Sequence, residues 1–76
     1  SGAAEGIRIR LNRPDPVVEI RELLEKAGKG RGLVSLSTVC ADGRIAEVEL
    51  EDTYKVGPSL IGAVGAIPGV ELAEEI

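Results

Sequence analysis

The chain has 76 residues, enough for one small domain but not for two, and its formal net charge is −4. This acidic balance argues against the basic footprint of most nucleic-acid-binding domains, and the absence of histidine removes the commonest general base and metal ligand. The single cysteine, Cys40, excludes an internal disulfide and a cysteine-based zinc site, and no apolar run approaches the roughly 20 residues of a membrane span. Tyr54 is the only aromatic residue, so the core is expected to consist of Val, Ile, Leu and Ala.

The first predicted element is a β-strand. Residues 1–6 are mostly small and are expected to be a linker or a cloning remnant, which leaves residues 7–76 as the folded domain. From Ile7 to Leu11, apolar and basic side chains alternate strictly. A period of two residues is typical of a strand with one buried face, so the apolar side chains of this segment are expected to face the core.

A helix is predicted after this strand. Asp15 suits the N-cap and Pro16 suits the first helical position. An apolar stripe at helical spacing follows, and Gly28 is typical of a helix end. The segment Gly28–Gly32 is basic and rich in glycine, but it lacks the full spacing of a phosphate-binding loop. We therefore expect a flexible connection to the next strand.

The segments Arg31–Cys40 and Arg44–Glu51 are predicted to be two strands of a hairpin. The glutamates of the second segment must face solvent, and this requirement fixes the register. A two-residue turn would place Leu36 opposite a glutamate. A three-residue turn places it opposite Val48 and gives Gly43 the left-handed position that such turns require. We therefore expect the three-residue turn.

The remaining elements complete an α+β fold. Tyr54–Val56 is expected to be a short extended segment, followed by a helix from Gly57 to about Ile67. Val70–Ile76 is expected to be the last strand, with Val70 and Leu72 facing the core. The order β-α-β-β-α-β predicts a ferredoxin-like fold, in which a four-stranded antiparallel sheet carries both helices on one face.

No combination of nucleophile, base and metal ligand is apparent, so neither catalysis nor a cofactor is expected. Cys40 lies at a strand end among apolar neighbours, and we expect a small core residue rather than a reactive thiol. Glu47, Glu49 and Glu51 share one face of their strand. Such a row can hold a hard cation, but it is more often the solvent side of a sheet.

The stretch Gly57–Val70 contains no charged residue. A helix on the surface of a small domain normally has a polar outer face. Either this helix docks onto a partner, or it is a tightly packed helix whose outer side is merely small and uncharged. Under the first alternative, the candidate partner-binding residues are Tyr54, Val56, Pro58, Ser59, Gly62, Ala63 and Ala66.

The segments IRIRL and GKGRGLVSLSTVCADGRIAEVELEDTYKVGPSLIGAVGAIPGV, with the acidic-capped helix between them, resemble the C-terminal end of the alpha subunit of bacterial DNA polymerase III. The likeness is to alpha-proteobacterial versions, covers nearly all of residues 7–76, and is carried by the order and spacing of the whole. One departure is Gly57, which stands where related sequences often have Asn or Ser, and this weakens the start of the second helix.

The resemblance implies a role that composition does not show. The parent chain would be a cytoplasmic DNA-directed DNA polymerase, a nucleotidyltransferase, whose catalytic aspartates lie upstream. This fragment would not be an enzyme. It would bind the tau subunit of the clamp loader, and no membrane is implied. The family's sliding-clamp peptide is led by glutamine, which this chain lacks, so clamp binding is not assigned.

Two other interpretations stay open. A small-molecule regulatory domain of the ACT type has the same order of elements and would bind its ligand at a dimer interface near the loop after the first strand, where Asn12 and Asp15 could serve. A weaker alternative is phosphate contact through Arg8, Arg10 and Arg13, with steep salt dependence. Because the chain lacks the aromatic side chains on which bases stack, no direct nucleic-acid binding is expected.

Overall fold

The computed structural model describes residues 6–76 and shows two helices packed on one face of a four-stranded sheet. The predicted α+β class and the predicted order of elements are confirmed. Residues 1–5 of the predicted linker lie outside the described residues, and the first strand already begins at Gly6. The elements are β1 (Gly6–Leu11), α1 (Val17–Ala27), β2 (Lys29–Val39), β3 (Ile45–Glu49), α2 (Pro58–Gly65) and β4 (Val70–Glu75).

The strands lie in the order β3-β2-β1-β4. β1 pairs in parallel with β2, whereas the pairs β2–β3 and β1–β4 are antiparallel. The sheet is therefore mixed, and the expectation of an entirely antiparallel sheet is wrong in this respect. The physical reason is that α1 is a crossover between two neighbouring strands, and a crossover of this kind returns the chain in the same direction. The short hairpin then places β3 outside β2 rather than between β1 and β2.

The core forms where both helices cover β1. Ile7, Ile9 and Leu11 are fully buried, while Arg8 and Arg10 alternate with them on the opposite, exposed face. Burial of each such apolar side chain stabilises the fold by about 1.5–3 kcal/mol. Their partners in the core are Ile20 and Leu24 from α1, Val34 and Leu36 from β2, Leu60 and Val64 from α2, and Ile67.

The predicted hairpin register is confirmed. Leu36 lies opposite Val48, and Gly43 has φ +84°, the left-handed conformation that the three-residue turn requires. The backbone N–H of Gly43 donates to the carbonyl oxygen of Cys40 at 2.9 Å. Cys40 itself is exposed, so its expected place in the core is wrong. It closes the turn at the end of the hairpin, where every residue from Cys40 to Ile45 is exposed.

The last strand contains an irregularity that the alternation of its side chains does not reveal. Val70 pairs with Leu11, but Leu72 pairs with Arg10, so the register shifts by one residue between them. A bulge of this kind reverses which side chains face the core. Leu72 therefore lies on the exposed face, contrary to expectation, and Ala73 takes the inward position opposite Ile9.

Each helix has one end that differs from expectation: the start of α1 and the end of α2. α1 begins at Val17 with Pro16 at the N-cap, and no side-chain hydrogen bond within the described residues caps it. Asp15 instead lies 3.8 Å from the Arg13 guanidinium. α2 ends at Gly65 rather than near Ile67. Neither helix in the described part of the chain has the length and hydropathy needed to cross a membrane.

The glycine-rich segment after α1 is the first part of β2 and not a flexible connection. The segment Thr53–Val56 runs antiparallel to it, with Lys55 N–H donating to Gly28 O at 2.9 Å and Gly30 N–H donating to Thr53 O at 3.3 Å. The approach is so close that a Cβ at Gly32 would lie 2.5 Å from a methyl carbon of Val56 and 2.8 Å from the carbonyl oxygen of Tyr54. Glycine is required here because the side chain of Val56 and the carbonyl oxygen of Tyr54 lie directly against the backbone of β2.

We predict that Gly32→Ala lowers the free energy of unfolding by about 1–3 kcal/mol, because the added methyl group must displace the segment after β3. Gly62→Ala is the matched control. Its Cβ would meet nothing within 4 Å, and alanine in a helix is favoured over glycine, so this variant should gain about 0.5–1 kcal/mol. Urea denaturation of both variants measures these changes, and equal effects would contradict the close approach.

Candidate docking groove between the helices

A groove separates α1 from α2 on the helix side of the molecule. Its larger part has a volume of about 750 Å³, and an adjoining part of about 480 Å³ shares Leu23, Lys26 and Ala63 with it. The two parts therefore form one continuous groove. We call it the inter-helix groove, lined by Glu19, Glu22, Leu23, Glu25, Lys26 and Ala27 from α1 and by Lys55–Gly57, Ser59, Leu60, Ala63 and Ala66–Pro68 from the α2 region.

The groove exists because α2 presents small side chains toward α1. Ala63 and Ala66 are exposed, and Leu23 on the opposite wall is only half-buried. A methyl group is too short to fill the space between two helices, whereas an ordinary core helix would place leucine or isoleucine at such positions. The floor is apolar, with Leu60 and Ile67 continuing into the core.

Charge is distributed unevenly along the groove. The two helices run in opposite directions across it, so the first half of α1 lies beside Pro68 and its last turn lies beside Gly57. Glu19, Glu22 and Glu25 line the part that ends at Pro68, Lys55 lines the part that ends at Gly57, and Lys26 lines both. The Pro68 end is therefore acidic and the Gly57 end basic. The groove therefore favours an occupant whose own charges run in the opposite sense.

The structure brings together four of the seven candidate residues. Val56, Ser59, Ala63 and Ala66 line the groove. Tyr54 lies in a separate cleft with Arg21 and Val48. Pro58 and Gly62 are exposed on α2 and are not among the lining residues.

Sequence reasoning missed the α1 wall of the groove. Leu23 sits beside the main apolar stripe of α1, and this offset was the available signal that it faces a neighbour other than the sheet. Glu22 and Lys26 lie across the groove from α2 because of the way the two helices pack. No local sequence pattern carries that information.

The other candidate sites have simpler surroundings. The backbone N–H of Asn12 donates to Gly69 O at 3.0 Å, and Asp15 lies beside Arg13, so the loop after β1 packs against the turn before β4. Glu47 and Glu49 lie on the open side of β3. Within residues 6–76 no group of three or more His, Cys, Asp or Glu side chains is placed to hold a metal ion.

No family model, no curated protein and no solved structure matches this chain.

We predict that Ala63→Leu partly fills the groove and raises the free energy of unfolding by about 1 kcal/mol, since each newly buried CH₂ contributes about 0.8 kcal/mol. The control is the difference in free energy of unfolding between Gly62→Leu and Gly62→Ala. This difference measures the same exchange of alanine for leucine at a position outside the groove. That difference should be near zero, because leucine and alanine have similar helix propensities. Thermal and urea unfolding of the variants provides the comparison, and an equal gain at both positions would contradict the open groove.

Proposed function

We propose that this chain is a non-catalytic protein-docking domain, and that an apolar segment of its partner lies in the inter-helix groove. The observation that carries the proposal is the uncharged wall that α2 contributes to an open groove with an apolar floor. Small side chains at Ala63 and Ala66 permit close approach of a partner backbone. Recognition of this kind, in which an apolar face enters a groove between helices, is a recurring mode of peptide binding.

The charges at the two ends of the groove specify the orientation of the partner. A basic side chain of the bound segment would lie near Glu19 and Glu22, and an acidic one would lie near Lys26 and Lys55. Exposed charge pairs contribute about 0.2–1 kcal/mol each, so they direct the binding more than they strengthen it. Affinity would come from the apolar side chains buried between the helices.

The partner that we propose is the tau subunit of the clamp loader. The support for this partner is the resemblance of residues 7–76 to the C-terminal end of the DNA polymerase III alpha subunit. On this proposal the parent chain synthesises DNA in the cytoplasm, and the domain tethers it to the clamp loader. The single cysteine, which leaves no internal disulfide, is in keeping with a reducing compartment.

The two alternative functions have less support from the geometry. In the loop proposed for an ACT-type ligand, Asn12 already donates its backbone N–H to Gly69, and Asp15 lies within ion-pair distance of Arg13. For phosphate contact, Arg8 and Arg10 share their sheet face with glutamates of β3 and β4, which repel a polyanion.

Titration calorimetry with the C-terminal part of tau tests the proposal. We expect binding by the wild-type chain and a loss of at least about tenfold in affinity for Ala63→Arg, because a long charged side chain would occupy the groove and be desolvated by the partner. Gly62→Arg introduces the same charge one residue earlier on α2, outside the groove, and should leave the affinity within about twofold.

The outcomes separate the two parts of the proposal. Absence of binding to tau would remove that partner. Equal losses for Ala63→Arg and Gly62→Arg would remove the groove as the binding site. A thermal shift of the wild-type chain with one amino acid, together with no binding to tau, would favour the ACT-type alternative.

A further inference from the structure

The sheet has a second face that no element among residues 6–76 covers. We call it the open face: it is the side of the sheet opposite the helices. Four of the large apolar side chains that remain exposed in the described chain lie here, namely Leu33, Val39, Ile45 and Leu72. Exposed apolar residues collected on one side of a small domain point to an interaction surface.

The charges at the centre of the open face form two columns of opposite sign. Glu74 on β4 lies beside Arg8, and the exposed Arg31 lies beyond Leu33 on β2, outside the rows that β1 pairs with. Arg8 and Arg10 stand on β1, and Glu49 and Glu47 stand on β3. Between them, β2 contributes only Ser35 and Ser37. Because neighbouring strands lie about 4.8 Å apart, the arginine column and the glutamate column are separated by about 10 Å.

The register aligns these columns in rows across the sheet. Arg8 pairs with Ser35, and Ser35 pairs with Glu49. One row further along, Arg10 pairs with Ser37, and Ser37 pairs with Glu47. Each row therefore has an arginine on β1, a serine on β2 at its centre, and a glutamate on β3.

We propose that the open face binds the open face of a second copy of this chain, with a two-fold axis that lies over β2 and runs parallel to it. Rotation about that axis exchanges β1 with β3, so the arginine column of each copy faces the glutamate column of the other. A two-fold axis has no translation along it, so each row faces the same row of the partner. Arg8 then faces the partner's Glu49, and Arg10 faces the partner's Glu47.

The strand spacing and the side-chain lengths fit this arrangement. Stacked sheets lie about 10 Å apart, a distance that extended arginine and glutamate side chains span together. Ser35 and Ser37 are short, so they leave room at the axis for the aliphatic stems of the arginines. Within residues 6–76, Arg10 makes no ion pair of its own, and the Arg8–Glu74 pair is long at 3.5 Å and exposed.

The same axis brings apolar residues together at both ends of β2. Leu33 and Val39 lie on the axis, are 46% and 40% exposed, and would each contact their own copy in the partner. The apolar contacts thus flank a charged centre. They supply the burial that exposed ion pairs alone do not provide, since such pairs contribute little to affinity.

Other placements of the axis are less favourable. An axis over β1 would set Arg8 against the partner's Arg8. An axis between β1 and β2 would set Glu49 against the partner's Glu74. An axis perpendicular to the strands would place every strand on its own copy, which opposes like charges. An axis between β1 and β4 would set Arg8 against the partner's Glu74, but it would set Arg10 against Leu72 and leave the glutamates of β3 without a facing strand. The axis over β2 pairs both arginines with glutamates.

A second copy fits this face better than a nucleic acid. Phosphates would be attracted by two arginines, but Glu47, Glu49 and Glu74 surround them on the same face. A surface with both signs in fixed columns requires a partner with the reversed columns, and the chain itself has them. The inter-helix groove lies on the other side of the molecule, so this inference is independent of the proposed function.

Charge exchange between two variants tests the proposal. The acidic variant carries Arg8→Glu and Arg10→Glu, and the basic variant carries Glu47→Arg and Glu49→Arg. In each variant alone the facing columns have the same sign, so self-association should weaken by more than about tenfold relative to wild type. In an equimolar mixture every column faces the opposite sign, and association should return. Sedimentation equilibrium of wild type, each variant and the mixture gives the dissociation constants.

Two controls make the result specific. The basic variant has no formal net charge, because its two substitutions offset the −4 of the chain, so recovery in the mixture is not explained by general attraction between oppositely charged molecules. The double variant Glu22→Arg and Glu25→Arg makes the same change of charge on α1, far from the open face, and should retain wild-type self-association. Circular dichroism checks that every variant is folded.

Three results would overturn the proposal. The first is a wild-type chain that remains monomeric at about 1 mM, a concentration at which even a weak specific contact is populated. The second is a dimer that neither charge-reversed variant weakens. The third is a mixture of folded variants that fails to associate although the wild type does.

Discussion

The structure depends on the burial of β1 between two neighbouring strands and beneath both helices. Ile7, Ile9 and Leu11 have no exposed surface, and they belong to one buried cluster with side chains from β2 and from both helices. In a domain of this size the fraction of surface buried is only about 60%, so the loss of one central contact is felt throughout. With only one aromatic residue in the chain, close packing of small aliphatic side chains must supply this stability.

The strict alternation of β1 has a second consequence, because it gives the two faces of the sheet different chemistry. The residues between the buried ones are Arg8 and Arg10, and they carry positive charge to the centre of the open face. The same alternation in β3 places Glu47 and Glu49 on that face, while its inward Val48 stays 52% exposed because neither helix extends over this edge strand. One face of the sheet thus builds the core beneath the helices, and the other presents ordered charge.

The features that could be predicted from the sequence are those in which one local pattern excludes the alternatives. The hairpin register is an example: the glutamates of β3 cannot be buried, and only a three-residue turn keeps Leu36 opposite Val48. The parallel pairing of β1 with β2 and the bulge in β4 were not predictable in this way. Both depend on which strands become neighbours, and the alternation around Leu72 is equally compatible with a regular strand. The role of Gly32 was hidden for the same reason, since its neighbour Val56 is distant in sequence.

The candidate groove, too, is only partly visible in the sequence. The uncharged outer side of α2 is visible in the sequence, but a helix with small residues becomes a binding wall only when another helix stands opposite it. α1 supplies that wall with Leu23, and its charged residues give the groove its polarity. Because the sheet separates the groove from the open face, occupation of one surface does not block the other. A dimer formed through the open faces would hold two grooves on its two outer sides, and a partner with two copies of the docking segment would then bind with a high effective concentration for the second site.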